Sequence, residues 1–295
     1  MELFIQYAVN ALSLGGIYAL IALGLAIVFS IFGFINFAHG ELLTIFGYVL
    51  FYAMSAGIPF IPAVAIGLAA SMLVAMLMER VAFRPMRGAN PMTLLVTSFA
   101  ISGALQVIFQ IGFGAQPKPL PMPGYLSGAF TIGGIYVGAA QIISIVVVTV
   151  LIVALNVFLN RTKFGLALLA SAQDFDIARL MGIRANAIYS VAFAISGLLA
   201  GVAAILWISL RGSVDPTMGF NPLVKAFVAT IVGGMGSLTG AVAGGFFLGV
   251  MEVALQIALP PDYLIFRDPI ILSTLIAFLL FRPAGLIPAA RSPVK

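Results

Sequence analysis

Apolar residues run along this chain in long blocks, and the polar interruptions between them are short. The first block extends from about Tyr7 to Phe32, and a second occupies Leu42–Met54. Between them stands FGFINFAHGE (Phe32–Glu41), too short for an ordinary domain loop. A third block, Phe60–Met78, gives way to the basic segment Glu79–Asn90, which holds Arg80, Arg84 and Arg87, and a fourth covers Met92–Phe113. Gly114–Gly134 is rich in Pro and Gly and almost uncharged, which reads as an irregular connection or a short hairpin. A fifth block is Ile135–Leu159 and a sixth is Ala187–Leu210. After the polar connection Arg211–Pro222 come Leu223–Val232 and Ala241–Leu259, joined by a Gly-rich turn, and then a last block near Pro269–Phe281. Blocks of this length suit a hydrocarbon core of about 30 Å. Leu223–Val232 is short for a full crossing, so it is expected to be re-entrant or broken. The pattern predicts an all-α polytopic integral membrane protein of about eight or nine spanning or re-entrant helices. A single transmembrane domain, residues 1–295, is expected, because no polar stretch is long enough to fold alone.

One stretch departs from this pattern. Asn160–Tyr189 lies between two apolar blocks, carries Arg161, Lys163, Arg179 and Arg184, and keeps a helical periodicity of its own. At about 100° per residue, Leu166, Leu169, Ala170, Ile177, Leu180 and Met181 share one face, interrupted only by Gln173. Ser171, Phe175, Ala178 and Arg179 fall opposite, and Gly165 and Gly182 punctuate the ends. Phe175, an aromatic on the polar face, suits insertion into a partner's pocket; the plainer alternative lays the helix on lipid headgroups. Asp176 and Arg179 are spaced to pair locally.

Composition supports the membrane reading: 62% of the 295 residues are hydrophobic and 8% charged, against about a quarter charged in soluble domains. The net charge of +5 is spread over short loops, a topogenic pattern and not a nucleic-acid footprint. Arg80, Arg84 and Arg87, then Arg161, Lys163, Arg179 and Arg184, then Arg282, Arg291 and Lys295 all become cytoplasmic if the N-terminus is outside and the C-terminus inside. With no cysteine, disulfides and thiolate metal sites are excluded. The N-terminus lacks a basic n-region, so no cleaved signal peptide is expected.

Candidate chemistry is sparse. His39, the only histidine, forms a polar cluster with Asn36 and Glu41 at the break between the first two blocks. These residues either satisfy freed backbone groups or line a mouth at the membrane edge, or else they gate a pathway or touch substrate. Lys225 and Glu252 both fall toward the outer side and are expected to pair, since an isolated charge in lipid is expensive; the alternative is a site for a substrate carboxylate or amine. Small residues recur at Ala192, Ser196, Ala200 and Ala204, and again at Gly236, Gly240, Gly244, Gly245 and Gly249, a spacing for close helix packing. GGMGSLTG (Gly233–Gly240) lacks the Lys of a phosphate loop, so any ATP must be bound by another chain.

Four blocks resemble a known family. SLGGIYALIALGLAIVFSIFGFINFAHGELLTIFGY (Ser13–Tyr48), AQDFDIARLMGI (Ala172–Ile183), IVGGMGSLTGAVAGGFFLGV (Ile231–Val250) and FRPAGLI (Phe281–Ile287) are similar to permeases of high-affinity branched-chain amino-acid ABC importers, of the LivH-like type. The resemblance implies two related permeases paired in the bacterial inner membrane, two cytoplasmic ATPase subunits that bind ATP and Mg, and a periplasmic substrate-binding protein. It implies no cofactor in this chain and no enzymatic activity. Ser171, Asp174, Phe175, Ala178, Arg179 and Gly182 then fall in the segment that couples to the ATPase. Family members often carry an Arg a few residues before AQD, where LALLAS (Leu166–Ser171) stands here; that contact is missing or falls to Arg161 or Arg179. Alternating access driven by the ATPases is the mechanism implied, with Leu, Ile or Val as cargo and urea or short amides as the alternative. A stand-alone secondary carrier would share the broken segments but has no need of the Asn160–Tyr189 helix.

Overall fold

The computed structural model describes residues 2–132 and 135–287. Twelve helices follow the apolar blocks: α1 Glu2–Phe32, α2 His39–Ser55, α3 Phe60–Met78, α4 Pro91–Phe113, the short α5 Gly124–Ser127, α6 Ala139–Arg161, α7 Lys163–Gln173, α8 Phe175–Leu180, α9 Ala185–Arg211, α10 Phe220–Gly234, α11 Leu238–Ala258 and α12 Arg267–Phe281. In lipid every backbone N–H and C=O must find a partner within the segment, and helices meet that demand. Among the described residues seven helices are long and apolar enough to cross a membrane, and α10 is a shorter apolar one. The protein is therefore an all-α, multi-pass membrane protein.

α1 forms the centre and is buried without interruption from Gly15 to Val28. α11 lies along it because glycine removes the side chains between them. A Cβ on Gly245 would stand 2.4 Å from Ala19 Cα, and one on Gly249 would stand 2.3 Å from Gly15 Cα. Gly244 and Gly240 face α10 in the same way, toward Ala229 and Gly233. Gly236, expected to join this packing row, does not: it sits in the turn between α10 and α11 with φ +87°, a conformation that glycine adopts without strain. The spaced small residues of α9 are buried, and Gly197 of that helix lies against Ser71 of α3.

Two spans are broken, and their helical parts meet. The chain turns at Gly33 (φ +68°), returns as a non-helical segment, and starts α2 beside the middle of α1, where the His39 ring lies against Gly24. α10 likewise follows a non-helical stretch, and Gly219, just before it, packs on Gly40 at the start of α2. α2 and α10, about 26 Å and 22 Å long, thus face each other N-terminus to N-terminus inside the bundle. Leu223–Val232 was expected to be re-entrant or broken, and α10 is the helical part of such a broken span.

Contacts sort the loops onto two ends. One end gathers the segment after α3, the start of α9 and the α10–α11 turn: Arg87 bonds Asn186, and Leu286 N donates to Val232 O. A π-helical turn, Glu79–Phe83, and a 3-10 turn, Arg84–Met86, carry α3 into this end. The other end holds the Pro/Gly-rich connection. There strand β1 (Lys118–Pro119) pairs antiparallel with β4 (Ser213–Val214), and β2 (Ala129–Ile132) with β3 (Ile135–Gly138). The connection is thus a short hairpin, and Ile135–Gly138, read as the start of the fifth block, is its second strand. α6 begins only at Ala139, where Gln141 Oε1 accepts from Gly138 N.

Candidate functional site

Three arrangements carry chemistry. The first is a buried ion network. Lys225 Nζ stands 3.0 Å from Glu252 Oε1, with both side chains almost fully buried. Two further charges join them: Arg267 lies 3.1 Å from Glu252 Oε1, and Asp268 lies 2.9 Å from Lys225. Tyr18 donates to Glu252 Oε2 at 2.7 Å. α1, α10, α11 and α12 are thereby tied together by two cations and two anions, which leaves no net charge in the apolar interior. Each carboxylate oxygen of Glu252 is used, the condition under which a buried pair is tolerated.

The second arrangement grows from the helix break. Asn36, His39 and Glu41 are all buried, and each turns to a different neighbour instead of lining a mouth at the membrane edge. Asn36 Oδ1 accepts from Ala38 N, satisfying a backbone group that the break sets free. His39 Nδ1 is 2.9 Å from Ser196 Oγ of α9. Glu41 Oε1 accepts from Ser102 Oγ and Gln106 Nε2 of α4, both at 2.8 Å, while Oε2 has no hydrogen-bond partner. Ser98, one turn earlier on α4, accepts from Phe37 N. The seam between α2 and α4 is therefore polar at its start and gives way to Tyr48 stacked on Phe109 and Phe113, in a helix whose other faces expose Val96, Val107, Ile108 and Ile111.

The third is the stretch between α6 and α9. It does not form one helix. Asp174 adopts an extended conformation (φ −153°, ψ 107°), ends α7, and caps α8 by accepting from Ile177 N. The single helical wheel drawn through Leu166–Met181 is broken at that residue. Ser171 and Ala178 are buried, whereas Leu166, Ile177, Leu180 and Met181 of the apolar set are exposed, Leu180 at 86% and Met181 at 80%. Arg179 and Gly182 are exposed as well, and Gly182 (φ +86°) ends α8. The Phe175 and Asp176 side chains lie outside the described residues, as do Arg291 and Lys295. Gly165 does more than end a helix: a Cβ there would stand 2.1 Å from Phe158 O, so only glycine lets α7 fold back on α6.

Several of these residues escape a reading of the sequence. Arg267 and Asp268 look like surface residues at a helix start, and Tyr18 is hidden in a uniformly apolar block. Ser98, Ser102 and Gln106, at every fourth position of an apolar helix, are the one legible signal of the α2–α4 seam. Glu79, the sole acid in a basic loop, pairs with Arg87 and accepts from Ser190 Oγ, while Arg87 also covers the Tyr189 ring at 3.9 Å.

The chain matches the family model described as branched-chain amino acid transport system / permease component over residues 7–281. It is 36% identical over 296 residues to the high-affinity branched-chain amino acid transport system permease protein BraD of Pseudomonas aeruginosa, covering 96% of this chain and 95% of that one. The corresponding LivH proteins of Salmonella typhimurium and Escherichia coli are 33% and 32% identical, again over 96% of this chain and 95% of theirs. No solved structure matches. An apolar bundle with broken spans, a buried neutral charge network and an apolar surface exposed between two spans thus accompanies similarity along nearly the whole chain, and this protein belongs to the branched-chain amino acid transport permease family.

Proposed function

We propose that this chain lines the pathway of an ATP-driven importer for branched-chain amino acids in the bacterial inner membrane, with the α7–α8 segment docked on a cytoplasmic ATPase subunit. ATP and Mg belong to that ATPase. A second related permease completes the pathway, and a periplasmic protein delivers the cargo. The exposed apolar side of α7–α8 carries this reading. Leu166, Ile177, Leu180 and Met181 stand free between two spans, on the end where the basic loops gather. Exposed apolar side chains grouped around an Arg mark a protein contact, and Arg179 stands among them.

The basic loops favour a cytoplasmic position for that end. Nine apolar passes, α2 and α10 included, then put the N-terminus outside and the C-terminus inside. Broken spans border transport pathways, because their helix ends bring polar backbone to mid-membrane. Asn36, His39 and Glu41, at the break that precedes and opens α2, are accordingly pathway or gating residues in this reading. The cargo assignment rests on the BraD and LivH relatives. An apolar pathway suits Leu, Ile or Val.

The test is a double variant, Leu180→Glu with Met181→Glu, expressed with its ATPases. Membrane insertion and chain yield are expected to be unchanged. Co-purification of the ATPase and uptake of labelled leucine are expected to fall at least tenfold. Undiminished ATPase retention would refute the docking role.

A further inference from the structure

A groove of about 450 Å³ opens between α6 and α11, with Leu23 of α1 at its floor. Leu155, Leu169 and Val242 make its walls apolar, and one end is different. Asn156 and Asn160 on the last turns of α6 and Thr239 at the start of α11 line the groove where those helices reach the basic end. Arg161 follows Asn160 directly, and Lys163 stands two residues further on. Both are exposed, and among the described residues neither has an acidic partner.

We propose that this groove holds one anionic phospholipid, its acyl chain on Leu23, Leu155 and Val242 and its phosphate against Thr239, Arg161 and Lys163. The shape divides as a lipid does, apolar along the length and hydrogen-bonding only at the end nearest the headgroup region. The charge selects the headgroup. The starts of α7 and α11 add the positive ends of two helix dipoles, and the end of α6 opposes them, so Arg161 and Lys163 decide the balance. Two basic residues near a membrane surface correspond to about thirtyfold enrichment of an anionic over a zwitterionic lipid, or about 2 kcal/mol. Leu169 of α7 lines the same groove, so a bound lipid also supports α7.

The protein is purified in mild detergent, exchanged with phosphatidylglycerol or phosphatidylethanolamine, and read by native mass spectrometry. Wild-type chain is expected to retain phosphatidylglycerol about thirtyfold better. Arg161→Gln with Lys163→Gln is expected to hold both lipids about equally. Val242→Trp, which fills the groove, is expected to lose both while eluting as wild type on gel filtration. Equal retention by wild type, or full preference in the double glutamine variant, would overturn the proposal. The absence of native cysteine allows one more arm: Asn156→Cys, which is expected to react with a maleimide-bearing lipid in native membranes. Its cross-linking to another permease copy instead would show that a protein fills the groove, and would equally overturn it.

Discussion

Replacing Lys225 by Met and Glu252 by Gln, singly and together, separates a pair that fastens α10 to α11 from two charges that merely lie close. Removing one member of a buried pair costs about 3–5 kcal/mol when the survivor is left alone. Neither survivor is alone here. Without Lys225, Glu252 keeps Arg267 and the Tyr18 hydroxyl; without the Glu252 charge, Lys225 keeps Asp268. Each single substitution is therefore expected to cost less than that range, about 2–3 kcal/mol. The double variant removes both charges and leaves Arg267 beside Asp268, so it relieves part of the damage. A coupling energy of about 1–2 kcal/mol follows, with the double variant more stable than the sum of its parts. Trp207 supplies the readout. It is the only tryptophan, it is buried, and its ring lies 6.1 Å from that of Tyr18, the network's own donor. Unfolding of the purified chain in detergent mixtures of rising SDS content, followed by its fluorescence, gives the four stabilities. Losses that add to within about 0.3–0.5 kcal/mol would refute the coupling.

Glu41→Ala is expected to leave Ser102 and Gln106 without their acceptor, at about 1–3 kcal/mol, and to speed amide exchange along α4. Glu41→Gln, which keeps an oxygen there, should leave exchange near wild type; equal effects of the two variants would count against the seam. Gly249→Val adds a side chain where a Cβ alone meets Gly15 Cα at 2.3 Å, and should destabilise the chain by about 1–3 kcal/mol or more in the same SDS titration. Gly236→Ala forces a positive φ on alanine, so its cost is expected to be about 1–2 kcal/mol and confined to the α10–α11 turn. Asp174→Ala removes the α8 cap, worth about 1 kcal/mol, and should raise exchange in Phe175–Leu180 without touching α9.

Much of the fold is legible because lipid leaves few options. Phe60–Met78 is a helix from its first apolar residue to its last, since an uninterrupted apolar run in a bilayer has no other way to satisfy its backbone. Boundaries slip where the local signal is short-range. Ile135–Gly138 is apolar enough to begin a span, yet it pairs with β2, and only the Gly138–Gln141 cap marks where α6 starts. The break at Asp174 is also written locally, as an Asp before a helical run, but a wheel averaged over many residues conceals it. Gly240, Gly244 and Gly249 recur at a spacing that suits close packing, and each lies against the backbone of a neighbouring helix. The spacing cannot separate Gly236, because the same residue serves packing and positive φ alike. The site is less legible than the fold. Lys225 and Glu252 stand out as charges in apolar runs. Tyr18, Arg267 and Asp268 come to them from segments far apart in sequence, and no periodicity records that meeting.

If docking on a separate ATPase drives this chain, transport of its cargo requires ATP. Proteoliposomes containing the chain, its ATPases, a second permease and the binding protein, supplied with labelled leucine and ATP, provide the assay. Leucine accumulation is expected with ATP, and it should vanish when the ATPase is disabled or when Leu180→Glu and Met181→Glu are introduced together. Accumulation by the chain alone, driven by an ion gradient and indifferent to ATP, would contradict that requirement.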